Sequence, residues 1–203
     1  AAAMVLKPIH DEVGISRLHL STYQSVSTAG QKGITTLAGQ TAKLLNAKPI
    51  EPDFFPAQIA FNSIPLVRER LANGFSQDEV LLVQQIQRVF TDPEMLISPT
   101  CVIVPVFHGL GASVHLETRY PLEINEITNM IRDAEGVELV EEEGEIATHV
   151  SHAVGQDKVY VDRVRKDLCH ENGVQLWFTL DNVKKGSATN LVQIAEHIGR
   201  YYL

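Results

Sequence analysis

The chain has 203 residues, 44% apolar and 21% charged, with two cysteines and a formal net charge of −8. That length can bury a sizeable core within one domain, and the composition excludes collagenous, low-complexity and disulfide-stapled classes. No apolar run approaches the ~20 residues of a membrane span. Acid concentrated over Glu135–Glu145 opposes the basic stripe that a phosphate backbone requires, so neither a membrane nor a nucleic acid is an expected partner. The opening AAAMVLKPIHDE is too short in apolar residues and too acidic in its sequel for a signal peptide. Cys101 and Cys169 lack zinc spacing, no metal site is expected, and the natural compartment is the cytoplasm.

In chain order, Ala3–Val13 reads as a helix with Val5, Leu6 and Ile9 apolar and Pro8 as a kink or boundary. Ile15–Ser27 alternates, with Leu18, Leu20 and Thr22 on one side and His19, Ser21 and Tyr23 on the other, which predicts a strand. Gln31–Asn46 has the apolar side of a helix, and Ala47–Pro56 is a proline-rich loop. Ser76 followed by Glu79 forms a capping box that opens a helix over Gln77–Phe90. Leu122–Asp133 is a further amphipathic helix. Val137–Val140, Lys158–Arg165 and Val174–Asp181 read as strands, and a last helix from near Ser187 to Tyr202 turns Leu191, Ile194, Ala195 and Ile198 inward. The order lacks the regular βαβ alternation of a doubly wound sheet. It predicts one α+β domain over 1–203, a mixed, largely antiparallel sheet with helices packed on one face.

Ser98–Thr118, SPTCVIVPVFHGLGASVHLET, organises this pattern. Thr100, Val102, Val104 and Val106 alternate with Cys101, Ile103, Pro105 and Phe107, and after His108-Gly109-Leu110-Gly111 the alternation resumes with Val114, Leu116 and Thr118. Two period-2 segments separated by glycines predict a hairpin. Cys101, on a β-branched strand without a basic neighbour, reads as a buried inert thiol. Cys169 and His170 are adjacent and point to opposite faces of an extended segment. His149 and His152, beside Glu142, Glu143 and Glu145, read as a solvated polar segment.

The same stretch resembles the aspartate-semialdehyde dehydrogenase family, which reads approximately Asn-Pro-Thr-Cys-Val-Arg-Val-Pro-Val-Phe-x-Gly-His there. Further matches are Tyr23-Gln24-Ser25-Val26-Ser27, Leu37-Ala38-Gly39-Gln40-Thr41, Gln58-Ile59-Ala60-Phe61-Asn62 and Asp181-Asn182-Val183 with the Lys184–Asn190 stretch that follows. The resemblance covers nearly the whole chain as the C-terminal, dimerisation domain of that family, with a fold like the C-terminal domain of glyceraldehyde-3-phosphate dehydrogenase. It implies that a nucleotide-binding domain and a nucleophilic Cys belong upstream of Ala1, and that the protein is a homodimer paired through its sheet. The family's reaction is NADPH-dependent reductive dephosphorylation of aspartyl phosphate, in which a Gln and a His assist a thiolate and an Arg grips the substrate carboxylate.

Carried onto this chain, the resemblance makes Gln24 the active-site Gln and Asp78 the stand-in for a substrate-contacting Glu. It assigns Asp181, Asn182, Lys185 and Asn190 to the nicotinamide side of NADP, a cofactor expected only where the nucleotide-binding domain is present. Three positions depart: Leu81 stands for a Lys, Ile103 for the Arg and Leu110 for the His. The pattern resembles the Usg group, which keeps the fold and loses the catalytic set, so the expected function is a catalytically silent or diverged dimerisation domain. An active NADP-dependent enzyme and a dimeric interaction module are the alternatives. A further expectation is that Ile103, Leu110 and Gln24 border one cavity whose polarity is inverted, with no cation replacing the Arg.

Overall fold

The computed structural model of the protein describes residues 1–52 and 54–202; Asp53, within the expected proline-rich loop, lies outside them. The central strand is β1 (Ile15–Gln24), flanked by β2 (Leu96–Ile103) on one side and β3 (Leu110–Thr118) on the other. β6 (Gly173–Leu180), β5 (Val159–Lys166) and β4 (Val137–Leu139) complete a sheet of order β2-β1-β3-β6-β5-β4. Its three inner pairs are antiparallel and its two outer pairs, β1 with β2 and β4 with β5, are parallel. The mixed, largely antiparallel sheet is the architecture the alternation predicts.

The expected hairpin is corrected. β2 and β3 each pair with β1 and never with each other. The reason is geometric: a link crossing β1 must span two interstrand spacings, about 10 Å, and Val104–Gly109 does so. It is fastened over the end of β1 by Val104 N–H to the Gln24 carbonyl at 2.9 Å, Val26 N–H to the Val106 carbonyl at 3.0 Å and Ser25 N–H to the Gly109 carbonyl at 3.2 Å. Gly109 turns the chain at φ 96°, where a Cβ would meet the His149 side chain at 3.0 Å.

Helices α1 (Ala2–Val13), α3 (Gln77–Phe90) and α4 (Ile124–Asp133) cover one face. They bury Val5, Leu6, Ile9, Ile86, Phe90, Ile127 and Ile131 against Leu18, Leu20, Val114, Leu116, Leu176 and Phe178 of the strands. A smaller core lies under the end of β2, where Cys101 and Ile103 meet Leu37 of α2 (Gly30–Leu45) together with Phe55, Ile59, Ile64 and Val67 of the long connection. The opposite face carries Arg17, His19, Ser21 and Tyr23 of β1 beside Ser113, His115 and Glu117 of β3.

Helix α5 (Thr189–Tyr201) departs from expectation. Its periodicity predicts an inward apolar side, yet it buries none of its residues, and Leu191 is 65% exposed. The 3.6-residue pattern is real, but no other element of the described chain covers the apolar stripe. No helix among the described residues is long and apolar enough to cross a membrane.

Candidate functional site

Ser76 caps α3 by accepting from Glu79 N–H at 3.2 Å, and the Glu79 carboxylate answers by accepting from Ser76 N–H at 2.7 Å. That box fixes the first turn of α3 and aims Asp78 at the end of β1. There Gln24, buried on the helix-covered face, donates from Nε2 to Asp78 Oδ2 at 2.9 Å. Asp78 Oδ1 pairs with Arg68 Nε at 3.1 Å. Both oxygens of the carboxylate are therefore engaged by protein groups.

The register places Ile103, Gln24 and Leu110 side by side in one row, since Gln24 pairs with Ile103 on β2 and with Leu110 on β3. They nevertheless border two spaces. Ile103 and Gln24 line a cavity of about 310 Å³ together with Phe54, Phe55, Leu66, Val67 and Arg68. Leu110 lines a separate hollow of about 480 Å³ with Thr22, Leu82, Phe178 and Asn182. The expectation of one common, cation-free cavity is thus overturned twice. Gln24 stands between the two aliphatic residues, and Arg68 brings a guanidinium to the Ile103 side. Arg17, Lys184 and Lys185, the cations that could have replaced the Arg, do not line that cavity. Sequence reasoning misses Arg68 because it lies on the irregular connection before α3, where neither periodicity nor the family motifs point to it. Leu81 is half-buried on α3 and lines neither space.

The four residues matched to the cofactor side separate into two pairs. Asp181 accepts from Val183 N–H at 2.8 Å and Lys184 N–H at 2.7 Å through one oxygen, and from Gly155 N–H at 2.8 Å through the other. Asn182 Oδ1 accepts from Gly109 N–H at 2.8 Å, and its Nδ2 donates to Ser27 Oγ at 2.9 Å. Both side chains are committed to holding the turn after β6. Lys185 and Asn190 line a groove with Met4, Glu135, Asp157 and Arg200, and Lys185 Nζ donates to Gln193 Oε1 at 2.9 Å.

Cys101 is fully buried, and burial pushes its thiol up to about 11. Deprotonated thiol at neutral pH is then on the order of 10⁻⁴ of the total. A thiol-disulfide reagent added to the native protein is expected to titrate exposed Cys169 quickly and Cys101 only on unfolding. Two rapid equivalents would contradict that. His149 and His152 go separate ways. His149 Nε2 lies 3.1 Å from the Tyr23 carbonyl, and burial lowers its pKa, while His152 packs on the Tyr160 ring with Glu145 nearby.

Over residues 6–185 the chain matches the model of the semialdehyde dehydrogenase dimerisation domain. The chain belongs to the semialdehyde dehydrogenase family. It is 48% identical over 199 residues to aspartate-semialdehyde dehydrogenase 2 of Vibrio cholerae, covering 98% of this chain and 59% of that protein. It is 41% identical over 202 residues to the Legionella pneumophila aspartate-semialdehyde dehydrogenase, covering 98% and 58%. The crystal structure of the Vibrio cholerae enzyme II complexed with ASA superposes with a TM-score of 0.96 at 48% identity over 99% of this chain and 60% of that one. A probable aspartate-semialdehyde dehydrogenase of Pseudomonas aeruginosa gives 0.93 at 38% identity over 100% and 61%. The chain therefore spans about three-fifths of the length of the relatives it matches. These semialdehyde dehydrogenase relatives confirm the fold class and the family expected from the motifs.

Proposed function

We propose that this chain is the dimerisation domain of a Usg-type member of the semialdehyde dehydrogenase family that does not reduce aspartyl phosphate. The supporting observation is the hollow around Leu110. The resemblance puts a His base at that position, yet no histidine, carboxylate, lysine or thiol side chain lines the space among the described residues. A general base must lie within hydrogen-bond reach of the proton it takes, and no side chain lining the hollow can substitute as one. The Gln24–Asp78 pair persists as the remnant of the site, with Asp78 tied to Arg68.

NADP, as the resemblance implies, belongs to a nucleotide-binding domain. Of the four matched residues, Lys185 and Asn190 line one open groove and Asn182 lines the hollow beside Leu110, whereas the Asp181 carboxylate is taken up in fastening its turn. The domain pairs with a second copy through the open face of its sheet, in the cytoplasm. Two free thiols suit a reducing compartment.

The test is steady-state turnover of the intact protein carrying this chain, with aspartate semialdehyde, phosphate and NADP. Loss of a positioned base removes ~10²–10⁴ of rate, so turnover is expected at least that far below the ordinary ~10 s⁻¹. A turnover near that ordinary value would overturn the proposal.

A further inference from the structure

The cavity of about 310 Å³ beside Gln24 is unlike a relic that has merely filled in. Its volume sits at the lower end of the ~300–1,000 Å³ typical of small-molecule sites. Phe54, Phe55, Pro56, Leu66, Val67 and Ile103 supply apolar walls, and Arg68 is the one charged residue that lines it among the described residues. Sites of this kind combine hydrophobic walls with a few placed polar groups that orient the ligand.

Arg68 is held in an unusual way. Its φ is 62°, in the left-handed region that a side-chain-bearing residue seldom adopts. Such conformations are strained and persist where the surroundings over-determine them. Here Val67 is buried on one side, and the guanidinium is drawn back to Asp78 through Nε. That contact is an ion pair and not a hydrogen bond. The two terminal amino groups make no hydrogen bond to any described residue, so they retain the planar fork that suits a carboxylate.

We infer that this cavity binds a monocarboxylate with a short apolar body, its carboxylate on the Arg68 fork and its hydrocarbon against Phe54, Leu66 and Ile103. The charge balance favours a single negative charge. Asp78 already neutralises part of the guanidinium, so a dianion would meet a like charge close by. A dicarboxylate would press its second carboxylate against the apolar walls, where an unpaired charge is costly. Ile103 thus acts as a specificity residue: where the resemblance places a substrate-gripping Arg, it closes the polar route and leaves an apolar one.

Calorimetric titration of the intact protein with phenylacetate, phenylacetamide and succinate tests this. Phenylacetate is expected to bind saturably, about tenfold more tightly than either of the others. Arg68→Gln should weaken phenylacetate about tenfold and leave phenylacetamide unchanged. Asp78→Asn should tighten phenylacetate several-fold, because the competing carboxylate is gone; a variant that merely misfolded would not gain affinity. Preference for succinate, equal binding of acid and amide, no saturable heat, or an Arg68→Gln protein within twofold of the parent would each overturn the inference. The inference takes from the proposed function only the identity of the remnant site. Turnover of aspartate semialdehyde with Arg68-dependent phenylacetate binding would refute the silent reading and leave this one standing. Absence of both would do the reverse.

Discussion

Glu79→Ala is expected to lower the stability of the protein by roughly 2–5 kcal/mol. The capping-box bond to Ser76 N–H is only half of what the carboxylate does. Its other oxygen, Oε1, accepts from Cys101 N–H at 3.0 Å. β2 is the edge strand of the sheet, and Cys101 N–H on its outer side has no neighbouring strand to bond. Glu79 therefore pins α3 to that edge and covers a donor that would otherwise be buried bare. Ser76 is 2% and Cys101 0% exposed, so water cannot replace the lost acceptor at either N–H. Each unsatisfied buried group costs about 1–3 kcal/mol. For a chain of this size the loss corresponds to a fall in melting temperature of roughly 5–15 °C. Glu79→Gln keeps one acceptor oxygen and the side-chain volume, and is expected to recover about half of the loss. A melting temperature within ~2 °C of the parent for Glu79→Ala would show that the edge is satisfied in another way.

Glu79 illustrates what the sequence made legible. The local signal, Ser76 with Glu79 before an apolar periodic run, located the start of α3 to the residue, because a capping box is contained within four positions. The second bond, to a strand 22 residues on, has no local trace. The same limit explains the hairpin. Alternation within Ser98–Thr118 located both strands and their faces but ran the first on to Phe107, past its end at Ile103; pairing depends on which strand lies between, and β1 is far away in sequence. Asp181 and Asn182 show a related limit: a polar pair after a strand looks the same in sequence whether it faces a ligand, fastens its own turn or does both. Only the three N–H donors around Asp181 decide that its carboxylate is occupied. In α5 the periodicity is legible and its partner is not, since an amphipathic stripe specifies that a face is to be covered, not by what. Arg68 lies outside every pattern. It reaches Asp78 through an irregular connection, and only the three-dimensional arrangement brings the guanidinium beside Ile103.

The proposed sheet-to-sheet dimer of the intact protein is expected to fall apart into monomers at micromolar concentration on Ser113→Arg substitution. The open face of the sheet is built in rows that cross the strands. Thr100 pairs with Ser21, Ser21 with Ser113, and Ser113 with Trp177, so small hydroxyl side chains occupy the middle of that row. The adjacent row brings His19 against His115, with ring centroids 5.6 Å apart. Small side chains at the centre leave a flat surface on which a second sheet can rest at about 10 Å, and Trp177, which stands between Ser113 and Asp162 in that row, is the kind of aromatic anchor that carries binding energy. A two-fold contact uses the same patch on both copies, so one substitution acts twice. The introduced guanidinium would stand above the plane of the row, with Arg163 and Arg165 lining the same depression as Ser113. Its charge would thus be added to two existing ones at each copy, and desolvating it on closure has no carboxylate in that lining to offset the cost. A stable interface buries more than about 1,000 Å², and a lodged cation at its centre removes the close approach that such an area requires. Sedimentation equilibrium gives the mass directly. Because Ser113 is exposed, the monomer should melt as a folded protein and keep its Arg68-dependent phenylacetate binding, whose cavity shares no lining residue with that depression. A parent that sediments as a monomer would refute the dimer, and a Ser113→Arg protein that remains a dimer would place the interface elsewhere.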